Sequence, residues 1–322
     1  MRLRNIFDRS GLQVIVAWFC AVVLCVGAAD AEHSERDSNQ RILVVGALLP
    51  DEASPATSLQ PMADYVKTHM ADYGVDDVII VTANNRDQLA QLVRHGRVDW
   101  ISQTANNLVY FLRYAHMEVL ARGWRNGAPT FSSVFFVRKD SELADLESLS
   151  GHVVALEHPY ADNAYSVPIL ELQSSGRQTY MLSSARDQVP ANQVGYLVSS
   201  SDYNTALWVH KGIADAGVLS RTRWNNSDVV PDQFRENLRV IHETREFVTA
   251  LELIRADLDE DLKAGLAQLL LKMHEDPVAA PLLRSYFNTQ RFDRPTTADM
   301  ERIDLLLTKE DSVKAHIKDY GR

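Results

Sequence analysis

Cysteine is almost missing from this chain. Its 322 residues include two, Cys20 and Cys25, and both lie in one apolar segment near the start. A chain that loses that segment has no disulfide, no thiolate metal site and no cysteine nucleophile. The glycine-rich phosphate loops GxGxxG and GxxxxGK[ST] are also absent, as is the GxSxG elbow of serine hydrolases. Histidines such as His69, His95, His116, His152, His158, His210, His242 and His274 are scattered, with no HxxxH pair. No metal site is expected from that spacing, and no cofactor is implied. Beyond residue 31 no apolar run is long enough to span a bilayer. Positive charge is scarce too. Without Arg2, Arg4, Arg9, Asp8 and Asp30, 30 basic residues face 41 acidic ones, a net charge of −11. Such a surface argues against nucleic acid and against anionic membranes as partners.

What is present begins with an export signal. Met1–Ala31 opens with Arg2, Arg4 and Arg9, continues through an apolar stretch over Leu12–Ala29, and ends in the small-x-small pattern Ala29-Asp30-Ala31. Cleavage before Glu32 and release into the periplasm are expected. An uncleaved anchor is the alternative, with the apolar run near the lower limit for a span. Residues 32–322 suffice for two lobes with real cores.

Strand and helix patterns then alternate. Strands are read at Ile42–Leu49, Val78–Val81 and Val98–Ile101, with Gly46 allowing close approach. Helices are read from Pro55, with Ser54 as a possible cap, and over Asn85–Arg94. Leu59, Met62, Ala63, Val66 and Met70 repeat at helical spacing and are assigned to the core. Strand–helix–strand order implies parallel sheets with right-handed crossovers. Ligands of such sheets sit outside the carboxyl ends of the strands. Thr104 follows the third strand there and either caps the next helix or points into a cleft.

The stretch Thr130–Tyr165 organises the rest. Val134–Val137 is a continuous apolar run, as expected of a strand buried on both faces. Ser132 and Ser133 precede it. A second buried strand, Val153–Leu156, leads into the polar loop Pro159–Asn163 and a helix-like run. Strand, loop and helix N-terminus is an arrangement that offers backbone N–H groups to an anion. Further strands are read at Val194–Val198, Leu238–Ile241 and Phe247–Leu253. Helices are read at Tyr203–Lys211 (capped by Ser201 or Asp202), Asp259–Glu275 and Thr296–Leu307, the last with a capping box at Thr296 and Asp299. Asp215 reads either as a ligand contact or as a carboxylate satisfied by backbone N–H groups. Chain crossings near 125–130 and 218–225 imply a two-segment hinge and cleft closure. They divide the chain into a first lobe of 32–128 plus 222–322 and a second of 129–221.

VRKDS, the LxSLxG segment, VVALEHP, GYLVSSSDYNTALWVHKGIADAGVLS and LDEDLKAGLAQLLLKMHEDP together resemble the PhnD-like phosphate, phosphite and phosphonate-binding group of periplasmic solute-binding proteins. The resemblance covers most of the chain beyond residue 31. It implies an α/β fold of two lobes (type 2 periplasmic-binding-protein fold), each a mainly parallel sheet flanked by helices and hinged around a cleft. It also implies a monomer that binds a small oxyanion-type ligand, is not an enzyme, and delivers the ligand to an ABC permease in the inner membrane. A sensor that presents a solute to a membrane receptor kinase is the alternative. A periplasmic enzyme ranks behind both, because no nucleophile–base constellation is visible. Because an acidic chain needs fixed local donors for an anion, ligand contacts are expected at Thr104, Ser132, Ser133 and the Tyr160, Asp162, Asn163 turn, and the resemblance adds weight to Thr104 and points to Asp215. Relatives carry a Ser/Thr-Ser-Gly run where this chain has Tyr160–Tyr165, so hydroxyls are lost and a carboxylate is gained. Asp162 then points away as a cap, holds a cationic part of a zwitterionic ligand, or excludes a phosphonate.

Overall fold

The fold is that of a computed structural model, which describes residues 41–48, 55–159 and 161–307. The expected export signal, Ser54 and Tyr160 lie outside the described residues. Among the described residues, fourteen strands follow in order: β1 (Ile42–Leu48), β2 (Asp77–Ala83), β3 (Trp100–Gln103), β4 (Met117–Arg125), β5 (Thr130–Phe131), β6 (Ser133–Arg138), β7 (Val153–Leu156), β8 (Gln178–Met181), β9 (Gln193–Val198), β10 (Ala216–Ser220), β11 (Leu238–Glu243), β12 (Phe247–Val248), β13 (Ala250–Arg255) and β14 (Thr289–Asp293). The longer helices are α1 (Pro55–His69), α2 (Arg86–Arg94), α3 (Ala105–Tyr114), α4 (Val167–Ser174), α5 (Asp202–His210), α6 (Glu260–Lys272), α7 (Ala279–Ser285) and α8 (297–307).

Two six-stranded sheets result. The first has the order β14-β4-β13-β3-β1-β2, the second β11-β6-β10-β7-β9-β8. In the first, β1 to β4 run one way and β13 and β14 run against them. In the second, β6 alone is reversed. The apolar stripe of α1 packs as its spacing requires, with Leu59, Met62, Ala63, Val66 and Met70 all buried. Val134 to Val137 of β6 are fully buried, since β10 and β11 flank the strand and apolar clusters cover both of its faces. A Cβ on Gly46 would stand 2.6 Å from Val98, so only glycine lets β1 approach that side chain.

One boundary differs from the sequence reading. Leu238–Ile241 was expected in the first lobe, but β11 pairs with β6 in the second sheet. The return crossing therefore falls between Glu243 and Ala250, not near 218–225. An apolar run such as LRVI suits either sheet, and its partner is chosen by contacts distant in sequence. The two crossings pair with each other: β5 and β12 form a two-stranded antiparallel ribbon, Phe131 opposite Phe247. This ribbon links the two sheets. Val167 and Leu170 pack on Phe247, with Phe131 and Leu306 of α8 against the same cluster.

Polar pairs brace the ribbon. Ser132 donates to Glu243 over 2.6 Å, and Arg221 pairs with the same carboxylate. Arg221 and Ser132 hold Glu243 well below the usual carboxylate range, at about 2. A group depressed in this way stabilises the fold above its ordinary pKa of 4.5, and the contribution is lost as pH falls toward 2. The pair is partly exposed, so the effect is modest. The melting temperature of the native protein should fall toward that of Glu243→Gln between pH 5 and about pH 2. A gap that stays constant over that range would remove the hinge role of this pair.

Candidate functional site

The carboxyl ends of the strands define the cleft edge of each sheet. In the first sheet, β3 ends at Gln103 and β4 at Arg125, and the register aligns Gln103 and Arg122 on either side of Leu251. Thr104 and Arg125 thus emerge on one edge. Thr104 is the N-cap of α3, with extended backbone, and its hydroxyl makes no capping hydrogen bond. By contrast, Ser201 caps α5 by accepting from the amide of Asn204. A helix start without a side-chain cap, at the mouth of a parallel sheet, suits an external acceptor.

Behind Thr104 lies a buried polar network that sequence reading missed. Glu252 sits in the middle of β13 and is 1% exposed. It accepts from Trp100 Nε1 at 2.7 Å, from the Tyr286 hydroxyl at 2.8 Å and from the Ser102 hydroxyl. Ser102 in turn accepts from Arg125 Nη2 at 2.7 Å. The Arg125 guanidinium lies 4.3 Å over the Phe287 ring. Its Nε is buried and has no hydrogen-bond partner among the described residues. Burial pushes Glu252 up from the usual carboxylate range, opposed by Ser102, Arg125, Tyr286 and Trp100. Burial likewise lowers Arg125, opposed by the charges of Glu252, Tyr286 and Asp162. A half-buried guanidinium whose buried Nε keeps an unspent donor at a cleft edge is equipped to hold an anion.

The second lobe meets this edge through the π-helical turn Asp162–Ser166, which packs against α3. The Asp162 carboxylate is near enough to Arg125 to favour its charged form. Asn163 supplies its backbone carbonyl to the Ser133 hydroxyl at 2.5 Å. At the end of β7, His158 and Glu157 stand 3.6 Å apart, and burial raises the Glu157 carboxyl. Asp202 pairs with Arg223.

The sequence-derived residues therefore divide. Thr104 shares the cleft edge with Arg125, and the turn carrying Asp162 packs against α3. Ser132 is engaged at the hinge. Ser133 is fully buried and its single hydroxyl hydrogen is spent on Asn163, so it shapes the turn instead of facing a ligand. Ser133→Ala is expected to cost about 1 kcal/mol of stability, read as a lower melting temperature, with anion affinity nearly unchanged. Asp215 is a clear correction. It accepts from the Val153 amide at 2.8 Å, at the start of β7 and so at the opposite end of the strand from the cleft. Of its two readings, the carboxylate satisfied by a backbone N–H is the one observed.

The model of the family described as "ABC transporter, phosphonate, periplasmic substrate-binding protein" matches residues 47–300. The chain belongs to this family. Members are periplasmic substrate-binding proteins of ABC transporters. XAC2383 from Xanthomonas citri, bound to chloride ion, is 32% identical over 85% of this chain and 99% of its own, with a TM-score of 0.72. The same protein bound to ATP gives 31% identity, 86% and 99% coverage and a TM-score of 0.73. PhnD1 from Prochlorococcus marinus, in complex with methylphosphonate, is 20% identical over 84% of this chain and 98% of its own, and its TM-score of 0.52 reflects a shared fold. A comparison with curated proteins gives no match. The two-lobed α/β architecture is that of type 2 periplasmic binding proteins. Among the described residues of this family member, no helix is long and apolar enough to cross a membrane.

Proposed function

We propose that this periplasmic substrate-binding protein holds a small oxyanion, a phosphonate or a related phosphorus oxyanion, between its two lobes and hands it to an ABC permease. The observation that carries this reading is Arg125, a half-buried cation with an unpartnered Nε beside a helix N-terminus that lacks a side-chain cap. A strongly acidic chain cannot gather anions by bulk attraction, so fixed local donors must do the binding. Thr104 and the first turn of α3 supply neutral donors, and Arg125 supplies the charge. The anion-bound and ATP-bound forms of XAC2383 are consistent with an anion site in this fold. The paired crossings β5 and β12 provide a hinge for closure over the ligand.

A thermal-shift panel tests the reading on the mature protein. Phosphate, phosphite, methylphosphonate and methanesulfonate would each be compared with chloride. At least one phosphorus oxyanion should raise the melting temperature in a saturable way, because a ligand that binds only the folded state stabilises it. No shift from any anion at millimolar concentration would refute the proposal.

A further inference from the structure

Thr249 joins the hinge ribbon to the first lobe, between the end of β12 and the start of β13. We infer that its hydroxyl is a further ligand contact of the oxyanion site, supplied by the hinge segment itself. This rests on the oxyanion reading given above and adds a neutral donor to it.

Strand register places the residue. β13 runs against β3 and β4, so its start lies at the edge where those two strands end. The last pairs toward that edge are Leu251 with Gln103 and Ala250 with Gly123. One residue further out, Thr249 falls between the start of α3 at Ala105 and the end of β4 at Trp124 and Arg125. Neighbouring strands are about 5 Å apart. Thr249 therefore has the uncapped start of α3 on one side and Arg125 on the other. Its backbone is held by the opposite crossing, since the Thr249 amide donates to the Pro129 carbonyl at 2.9 Å. Val248 pairs with Thr130 just before it.

The hydroxyl itself is unspent. Thr249 Oγ1 is shut off from solvent and has no hydrogen-bond partner among the described residues. Other hydroxyls around the two crossings are engaged. Thr130 donates to Glu246, Ser132 to Glu243, Ser133 to the Asn163 carbonyl and Thr244 to the Arg245 carbonyl. A buried hydroxyl without a partner costs stability, and native structures rarely keep one without a reason. The same edge carries another buried donor with no partner, Arg125 Nε. Two such groups on adjacent strands, beside a helix start without a side-chain cap, mark one place for an external acceptor. Arg125 brings the charge, and Thr249 donates its one hydrogen to a second oxygen of the phosphonate or phosphate group. A ligand held there touches the segment that bends when the lobes close, so occupancy and lobe geometry are linked.

Calorimetry on the mature protein, Thr249→Val and Thr249→Ser tests this, with methylphosphonate, phosphite and inorganic phosphate as probes. Valine copies the branched shape without the hydroxyl, and serine keeps the hydroxyl. Thr249→Val should weaken the tightest of the three probes about tenfold or more, and Thr249→Ser should retain most of the native affinity. Melts without ligand separate a ligand contact from a brace of the fold. The hydroxyl has no partner in the free protein, so the valine variant should melt at or above the native temperature. A valine variant that melts clearly lower would assign the hydroxyl to the fold and overturn the inference. Native-like binding by the valine variant, or an equal loss in the serine variant, would also overturn it. Each of these results leaves the oxyanion reading standing. If the native protein binds none of the three probes, that reading falls and Thr249 loses its role with it.

Discussion

Replacing Arg125 by glutamine is expected to lower oxyanion affinity about thirtyfold or more while the protein still folds. Glutamine retains an N–H that can reach Ser102, but it removes the charge and the unspent Nε donor. Truncating one side of a buried, charged hydrogen-bonded contact costs about 2–5 kcal/mol, and about 2 kcal/mol corresponds to about thirtyfold. The fold survives because Glu252 keeps three neutral donors, from Trp100, Tyr286 and Ser102. Its already raised carboxyl simply takes up a proton more readily once the nearby cation is gone. Calorimetry with the best ligand of the thermal-shift panel, alongside circular dichroism, reads both halves. Native-like affinity in the variant would move the site elsewhere in the cleft.

The second large effect is on stability. Glu252→Ala removes the acceptor of three buried donors and leaves Arg125 without its buried counter-charge. Breaking a buried pair from one side costs about 3–5 kcal/mol, which for a chain of this size lowers the melting temperature by on the order of ten degrees. Glu252→Gln keeps the volume and an acceptor oxygen, so its loss should be smaller. Thermal melts of the two variants against the native protein give the comparison. An alanine variant that melts like the native protein would mean that the network adds no stability. The asymmetry between the two positions is informative. Arg125 is expected to matter most to binding, Glu252 most to folding.

Much of the scaffold was legible because local patterns agreed with the final packing. The α1 stripe, the Val134–Val137 run and the Thr296–Asp299 capping box depend on residues within one turn or one strand of each other, and all three appear. The strand at Val153–Leu156 matches to the residue. Sheet membership was less legible. β11 looks the same in sequence whichever sheet it joins, and its pairing with β6 spans about a hundred residues.

The candidate site was legible only on the side where the chain turns. Thr104 and the Asp162 turn follow strands in a pattern that sequence shows. Arg125 is different. It closes the run Met117–Trp124, where a charged residue reads as a strand leaving for solvent, yet burial and Ser102 hold it inward. Glu252 did leave a signal. A carboxylate inside the apolar run Ala250–Ile254 has to be buried with partners or the strand is misread. Its partners Trp100, Ser102 and Tyr286 come from β3 and from the segment after α7, and no spacing rule brings those together. Ser133 was misjudged for a related reason: a serine next to a cleft looks available until its hydrogen is traced to Asn163.

The most direct test of the account is a crystal structure of the mature protein grown with arsenate, with data collected at the arsenic absorption edge. Arsenate copies the size and protonation of phosphate and reveals its position by anomalous scattering. The account predicts one strong peak between the lobes, within hydrogen-bond reach of Arg125 Nε and the first-turn amides of α3. A cleft peak away from Arg125, or an empty cleft at concentrations that shift the melting temperature, would contradict it.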